Sequence, residues 1–173
     1  MTDLEERIRR LEDREEIQQL AVRYGLAVDD RDYDGISDLF APDGRLCTKA
    51  GACKGDGVSA VVAYFKGHLP TLGVTNHFVH GHVIDLDRTD PDHATGVVLS
   101  HAELWRNGAP MITAMRYLDS YCRVDGAWRF QERIQSYMYF VDVREYADVL
   151  GTQLRVRSSR ENPQPADWPI LAS

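Results

Sequence analysis

The sequence predicts an α+β fold in which helices pack on one face of a long, strongly curved antiparallel sheet. Three observations predict it. Apolar residues recur at helical spacing from the N-terminus to Leu69. Four extended runs then follow Pro70. The dipeptides Asp90-Pro91, Asn107-Gly108 and Asp125-Gly126 separate those runs, and the last two are short hairpin signals.

Residues 2 to 31 read as helix. Thr2 with Glu5 forms a capping-box pattern, and Leu4, Ile8 and Leu11 repeat at helical spacing. Asp13 with Glu16 offers a second start, so a short lead helix could precede a longer one. From Ile17 to Val28 the apolar set covers most of the circumference, as in a helix packed on several sides. Gly25 interrupts it at a cost of up to ~1 kcal/mol against Ala, which a close contact would explain. Asp34 to Phe40 adds further helical turns, Pro42-Asp43-Gly44 a turn, Arg45 to Thr48 a short strand and Lys49 to Asp56 a loop. Val58 to Leu69 is helical and stops at Pro70. The strands span Thr75 to Asp87, Ala94 to Arg106, Met111 to Val124 and Trp128 to Phe140. In the last, Trp128, Phe130, Ile134, Met138 and Phe140 share one face, and Arg129, Gln131, Arg133 and Gln135 the other. A short helix fits 142 to 151. The expected division is a single domain over 1–151 and a polar, Pro-containing arm over 152–173. Trp168, Ile170 and Leu171 could dock that arm on this or a neighbouring subunit; the alternative is a frayed tail.

Composition narrows the function classes. Twenty Lys and Arg against 27 Asp and Glu give a net charge of −7, which argues against a nucleic-acid partner. No apolar run reaches the ~18 residues of a membrane span. The charged start MTDLEERIRRLEDREE is unlike a signal peptide, so a cytoplasmic location is expected. Three scattered cysteines, Cys47, Cys53 and Cys122, make no CxxC pair and predict neither a disulfide framework nor structural zinc. No Gly-rich phosphate loop is present, and no cofactor is expected.

Asn76 to His82 holds three histidines. Strand alternation puts His80 and His82 on one face and His77 on the other, unless Gly81 marks a bulge that resets the parity. Two same-face histidines and a carboxylate could ligate a metal, but no HExxH or Cys partner supports it, and none is expected. Solvent-facing or hydrogen-bonded structural roles suit His80 and His82 better. Asp29 and Asp30 end the long helix, where capping or a surface ion pair is the ordinary role. Asp29 falls on the line of Val22 and Leu26, an apolar stripe, and a carboxylate aimed there needs a partner. If a histidine supplies it, the pair becomes an Asp-His dyad with a general base near neutral pH.

The order of elements resembles the cone-shaped fold of the nuclear transport factor 2-like superfamily, and most closely its SnoaL-like branch, which holds scytalone dehydratase, the hexachlorocyclohexane dehydrochlorinase and the bile-acid 7α-dehydratase. The resemblance rests on Ile17-Gln18-Gln19-Leu20 to Tyr24, Val28-Asp29-Asp30-Arg31-Asp32-Tyr33-Asp34, Leu39-Phe40-Ala41-Pro42-Asp43-Gly44, His77-Phe78-Val79, Arg116-Tyr117-Leu118-Asp119 and Asp125-Gly126-Ala127-Trp128-Arg129-Phe130. It implies that Asp29 and His77 are the catalytic pair. Tyr24 takes the place of a tyrosine five residues before that Asp, His101 lies on the strand that carries a second catalytic histidine, and Tyr117 falls where one relative has a polar pocket residue. An asparagine common a few residues after the strand histidine is replaced here by Gly81.

The implied chemistry is a cofactor-independent lyase of the dehydratase type. His77, oriented by Asp29, removes a proton α to a carbonyl; Tyr24 or His101 donates to the enolate oxygen or the departing hydroxyl. The expected lining, Tyr24, Leu46, Val61, Phe65, Val79, Leu99, Trp105, Met115, Tyr117, Met138 and Phe140, suits a hydrophobic, ring-bearing small molecule. An isomerase or polyketide-type cyclase on the same dyad is the alternative. A non-catalytic ligand-binding module and a small subunit of a ring-hydroxylating oxygenase are two more. A homotrimer is expected, with a dimer second, through the open face of the sheet.

Overall fold

A computed structural model describes residues 4–158 and 161–170. A single helix, α1 (Leu4–Asp29), is followed by α2 (Tyr33–Leu39), capped by Asp32, whose carboxylate accepts from the Gly35 N–H at 2.9 Å. Strands β1 (Phe40–Thr48) and β2 (Cys53–Asp56) lead to α3 (Val58–His68) and one 3₁₀ turn, Leu69–Thr71. Four long strands complete the sheet: β3 (Leu72–Leu86), β4 (His93–Arg106), β5 (Ala109–Val124) and β6 (Ala127–Asp142). A 3₁₀ turn and α4 (Tyr146–Val149) close the chain's regular structure. The sheet order is β2-β1-β6-β5-β4-β3; every pairing is antiparallel except β1 with β6. None of the described helices is long and apolar enough to cross a membrane.

Several local expectations shift. Thr2 lies outside the described residues. Asp13 starts no second helix: its carboxylate is buried, takes a hydrogen bond from Trp128 Nε1 at 3.1 Å and pairs with Arg123, fixing α1 across the β5–β6 hairpin. Strand β1 runs through Pro42-Asp43-Gly44 with a register shift between Phe40 and Arg45, and the supposed loop 49–56 contains β2.

The curvature comes from bulges, where one strand spends two residues against one of its neighbour, which bends it and resets which side chains face in. On β3, Val79 pairs with Ser100 and Gly81 with Leu99, so His80 is the extra residue. On β6, Tyr121 pairs with Phe130 and Ser120 with Glu132, so Gln131 is extra; Met115 pairs with Tyr137 and Ala114 with Tyr139, so Met138 is extra. On β2, Leu46 faces Gly55 and Cys47 faces Cys53, leaving Lys54 extra. The consequence on β6 reverses the expected alternation: Arg133 and Gln135 point inward with Trp128 and Phe130, while Ile134 and Met138 point away.

The helices cover the inner face around one core that includes Ile17, Tyr24, Ile36, Leu46, Val61, Phe65, Tyr117 and Phe130. The outer face of β3 and β4 carries exposed Val74, Phe78, Val83, Leu99 and Trp105. Residues 152–170 form no separate core. Val156 bridges Phe140 and Gln164, Asp167 exchanges hydrogen bonds with the Tyr137 backbone, and the buried Arg155 guanidinium donates to the carbonyls of Met138 and Pro169, both at 2.9 Å. The arm occupies the edge of β6 beyond the end of β1. Trp168 docks under the Arg116 guanidinium, 3.8 Å from the ring centroid, Ile170 is exposed, and Leu171 lies outside the described residues.

Candidate active site

A cavity of about 330 Å³ opens between α1, α3 and the inner face of the sheet, at the small end of the ~300–1,000 Å³ typical of ligand pockets. Tyr24 and Val28 line it from α1, Phe65 from α3, His77 from β3, and Thr113, Met115 and Tyr117 from β5. Gln135, Tyr137 and Phe140 line it from β6, and Val156 and Ser158 of the arm from the rim.

Asp29 and His77, 48 positions apart, meet at its wall. Asp29 Oδ1 lies 2.7 Å from His77 Nδ1, and the backbone N–H of His77 donates to Asp29 Oδ2, also at 2.7 Å. Both side chains are mostly buried. Two local features bring helix and strand this close. Gly25, one turn before Asp29, faces the imidazole stem: a Cβ built there would stand 3.1 Å from the His77 Cβ. After α1 ends, Arg31 turns back in a left-handed conformation (φ 59°) and its guanidinium donates to the Asp29 carbonyl at 2.8 Å and to Thr75 Oγ1 at 2.6 Å. The Gly25 interruption in the helix pattern is thus accounted for by a close contact. The Val22–Leu26 stripe is not the reason for Asp29's burial, because Val22 and Leu26 are both exposed; the approach of β3 is.

Burial alone would raise the Asp29 carboxyl, but the hydrogen bonds and charge of His77, with Thr75 adding, outweigh it and hold the group below the ordinary carboxylate range. An ionised Asp29 accepts and cannot donate, so His77 Nδ1 carries the proton. In its uncharged form the ring presents a lone pair on Nε2, which makes no hydrogen bond among the described residues, while the imidazole lines the cavity. That is the arrangement of an oriented base.

Two phenols, Tyr24 and Tyr117, line the same cavity. The Tyr24 ring is edge-on to His77 (centroids 6.4 Å) and to Tyr117 (5.8 Å). Burial, with Tyr117 adding, pushes the Tyr24 hydroxyl well above the usual phenol value, and burial pushes Tyr117 up to about 12. Both stay protonated as donors, and the Tyr117 hydroxyl has no partner among the described residues. Behind them lies Arg133, its guanidinium 4.3 Å from the Tyr24 ring centroid and 4.0 Å from that of Tyr117. Asp119 grips it through Nε at 3.0 Å and Nη2 at 2.8 Å, both side chains fully buried. Burial opposes the charge on Arg133, but Asp119 outweighs it and raises the guanidinium further. Asp119 also accepts from Tyr121 Oη at 2.9 Å, and Tyr121 Oη lies 2.9 Å from His82 Nε2. Because Tyr121 spends its proton on Asp119, His82 donates from Nε2. Burial, with Arg133 adding, lowers His82 to about 4, so it is neutral there.

The remaining expected residues divide. Tyr24, Phe65, Met115, Tyr117 and Phe140 line the cavity with His77. Leu46 and Val61 are core, and Val79 packs against that core without lining the cavity. Met138 is the β6 bulge residue and packs with the Tyr139–Val149 cluster outside. Leu99 and Trp105 sit on the exposed outer face. His101 shares that face: its Nδ1 is 2.8 Å from His80 Nε2, and it does not join the cavity. The bulge at His80 puts His77 and His82 on the same inward face and turns His80 away. Polar groups not anticipated include Arg133 and Asp119 behind the phenols, and Gln135, Lys54, Tyr137 and Arg106 on the cavity wall. Among the described residues no group of three or more His, Cys, Asp or Glu side chains could hold a metal ion.

The SnoaL-like domain model matches residues 9–134. No curated protein matches the sequence. Among solved structures, LinA is 21% identical with a TM-score of 0.71, covering 79% of this chain and 92% of its own. The hexachlorocyclohexane dehydrochlorinase LinA-type3 from Novosphingobium barchaimii LL02 is 19% identical, with a TM-score of 0.69 and coverage of 79% and 93%. A provisionally named scytalone dehydratase from Novosphingobium aromaticivorans DSM 12444 is 19% identical, with a TM-score of 0.70 and coverage of 78% and 89%. At these identities the likeness is one of fold.

Proposed function

The chain belongs to the SnoaL-like domain family, and from that premise we propose that it is a cofactor-independent lyase of the dehydratase type acting on a hydrophobic, ring-bearing carbonyl compound. The observation that carries this reading is the Asp29–His77 contact at the wall of a largely apolar and aromatic cavity. A module that only bound ligand would have no use for a charged carboxylate spent on orienting an imidazole.

In the proposed reaction His77 Nε2 takes the proton α to the carbonyl, and the C–H electron pair moves onto the carbonyl oxygen. Tyr24 or Tyr117 donates a hydrogen bond to that oxygen as its charge grows. The enolate then collapses, the bond from the β-carbon to its hydroxyl or halide breaks, and the leaving group departs with the electron pair. A departing hydroxyl collects its proton from the imidazolium or a phenol, and a halide needs none. Arg133 beneath both rings makes the two phenols better donors without touching substrate.

The test uses ring ketones bearing hydroxyl or chloride at the β-carbon, incubated with the protein in deuterated water. Release of water or chloride with appearance of the conjugated ketone is the expected result. Exchange of the α-hydrogen without release would move the assignment to the isomerase or cyclase on the same dyad. Neither exchange nor release across the series would overturn the enzymatic reading.

We also propose a homotrimer, with a dimer second, assembled through the outer face of β3 and β4. Val74, Phe78, Val83, Leu99 and Trp105 expose large apolar side chains there, which a subunit contact would cover. Sedimentation at micromolar concentration is expected to show an oligomer, and Val83→Lys with Leu99→Lys is expected to release monomer. A monomeric wild type at that concentration would refute it.

A further inference from the structure

The wall of the cavity carries a lysine that no carboxylate among the described residues pairs with. Lys54 is the extra residue of the β2 bulge, and the bulge turns its side chain into the cavity. The bulge is held in place from behind: a Cβ on Gly55 would stand 2.5 Å from the Val61 backbone nitrogen, so α3 lies directly on this part of β2. Lys54 Nζ donates to Gln135 Oε1 and sits 5.4 Å over the Tyr64 ring. Tyr137 Oη lies 3.0 Å from the same Gln135 oxygen, whose two lone pairs are thereby used.

An ammonium has three donors, and Gln135 takes one. Among the described residues Lys54 makes no salt bridge. Its charged neighbour is another cation, Arg106, which also lines the cavity and stacks over Phe140 at 5.7 Å. Glu103 borders the cavity but pairs with neither, and Asp29 is committed to His77. Burial, with Arg106 adding, lowers Lys54 to about 8, so the charged form still prevails at neutral pH although no carboxylate among the described residues pairs with it. Buried charges are ordinarily paired, and here the ammonium lines the cavity.

We propose that Lys54, with Arg106 beside it, is the seat of a carboxylate on the substrate, so that the molecule processed at His77 is a ring-bearing carbonyl acid and not a neutral hydrocarbon-like compound. A monoanion matches one buried ammonium with two free donors. The seat refines the lyase reading given above and rests on it only for the reaction, since anion binding is measured without turnover.

The probes are 2-naphthoate and its uncharged isostere 2-naphthamide, titrated into the protein by calorimetry. Wild type is expected to bind the acid more tightly than the amide by about ten- to a hundredfold, the size of a hydrogen bond to a charged group. Lys54→Met is expected to bring the acid down to the affinity of the amide and leave the amide unchanged. Lys54→Gln serves the same purpose if the Met variant does not fold, and Lys54→Arg is expected to retain the preference. His77→Ala, which removes the base, should keep the acid-over-amide ratio. The proposal fails if wild type binds both probes equally, binds neither, or keeps its preference after Lys54→Met. If the preference is present while ring ketones that carry both a carboxylate and a β-hydroxyl or β-chloride show neither exchange nor elimination, the seat stands and the lyase reading falls.

Discussion

Replacing His77 by alanine is expected to lower turnover by about 10²–10⁴-fold, the range that a positioned general base supplies, while thermal unfolding shows a folded protein. The imidazole lines a cavity and is not among the residues of the main core, so its removal takes away a base more than a packing element. Asp29→Asn should lose a comparable factor for a different reason. Asp29 uses both oxygens, one for the His77 backbone N–H and one for Nδ1. Asparagine has a single carbonyl oxygen. If it keeps the backbone bond, its amide N–H₂ meets Nδ1 and forces the proton to Nε2, which is the wrong tautomer for a base facing the cavity. If it keeps Nδ1, it sets two donors against each other at the backbone. The loss should fall on kcat more than on KM, because the dyad acts as the proton moves. Full activity in both variants on an identified substrate would remove the dyad from the mechanism.

The second large effect concerns stability. Removing one partner of the Asp119–Arg133 pair strands a charge in a fully buried place, which costs on the order of 3–5 kcal/mol. Asp119→Ala would also strip the acceptor from Tyr121 and, through it, unsettle His82. The double variant Asp119→Leu/Arg133→Met removes both charges and should recover much of that loss. Urea unfolding of the two singles and the double gives the coupling energy directly. Singles that each cost less than about 1 kcal/mol, the level of an exposed pair, would show that the pair is not desolvated as described.

Asp29 and His77 were singled out by the need of a helix-end carboxylate for a partner, joined to the resemblance, and Tyr24 and Tyr117 by the resemblance alone; the structure brings His77, Tyr24 and Tyr117 to one cavity, with Asp29 on His77. The helix–sheet order and most element limits were legible. The bulges were not. One additional residue in a strand leaves no mark in composition: His80, Gln131 and Met138 are ordinary strand residues, and of the three positions only His80 has a neighbouring glycine as a signal. Each slip exchanges the inner and outer faces beyond it. That is why a period-2 reading of β6 turned Arg133 and Gln135 to solvent and Met138 inward. His101 failed differently. It shares a face with Leu99 and Trp105, and large apolar side chains read as a dry interior; here they cover the exposed side of the sheet. Lys54 was hidden because a four-residue strand flanked by glycines looks like a loop.

The C-terminal arm gives the molecule a division of labour along the chain. In the proposed reaction the base and its orienting carboxylate come from the joint between α1 and β3, whereas Val156 and Ser158 line the cavity from a segment attached to the edge of β6. On that proposal, part of what shapes admission and the group that takes the proton are written in separate stretches of polypeptide. Substitutions after residue 152 can redraw the doorway while the proton-transfer apparatus is inherited intact, so a single scaffold can change its clientele without reinventing its reaction.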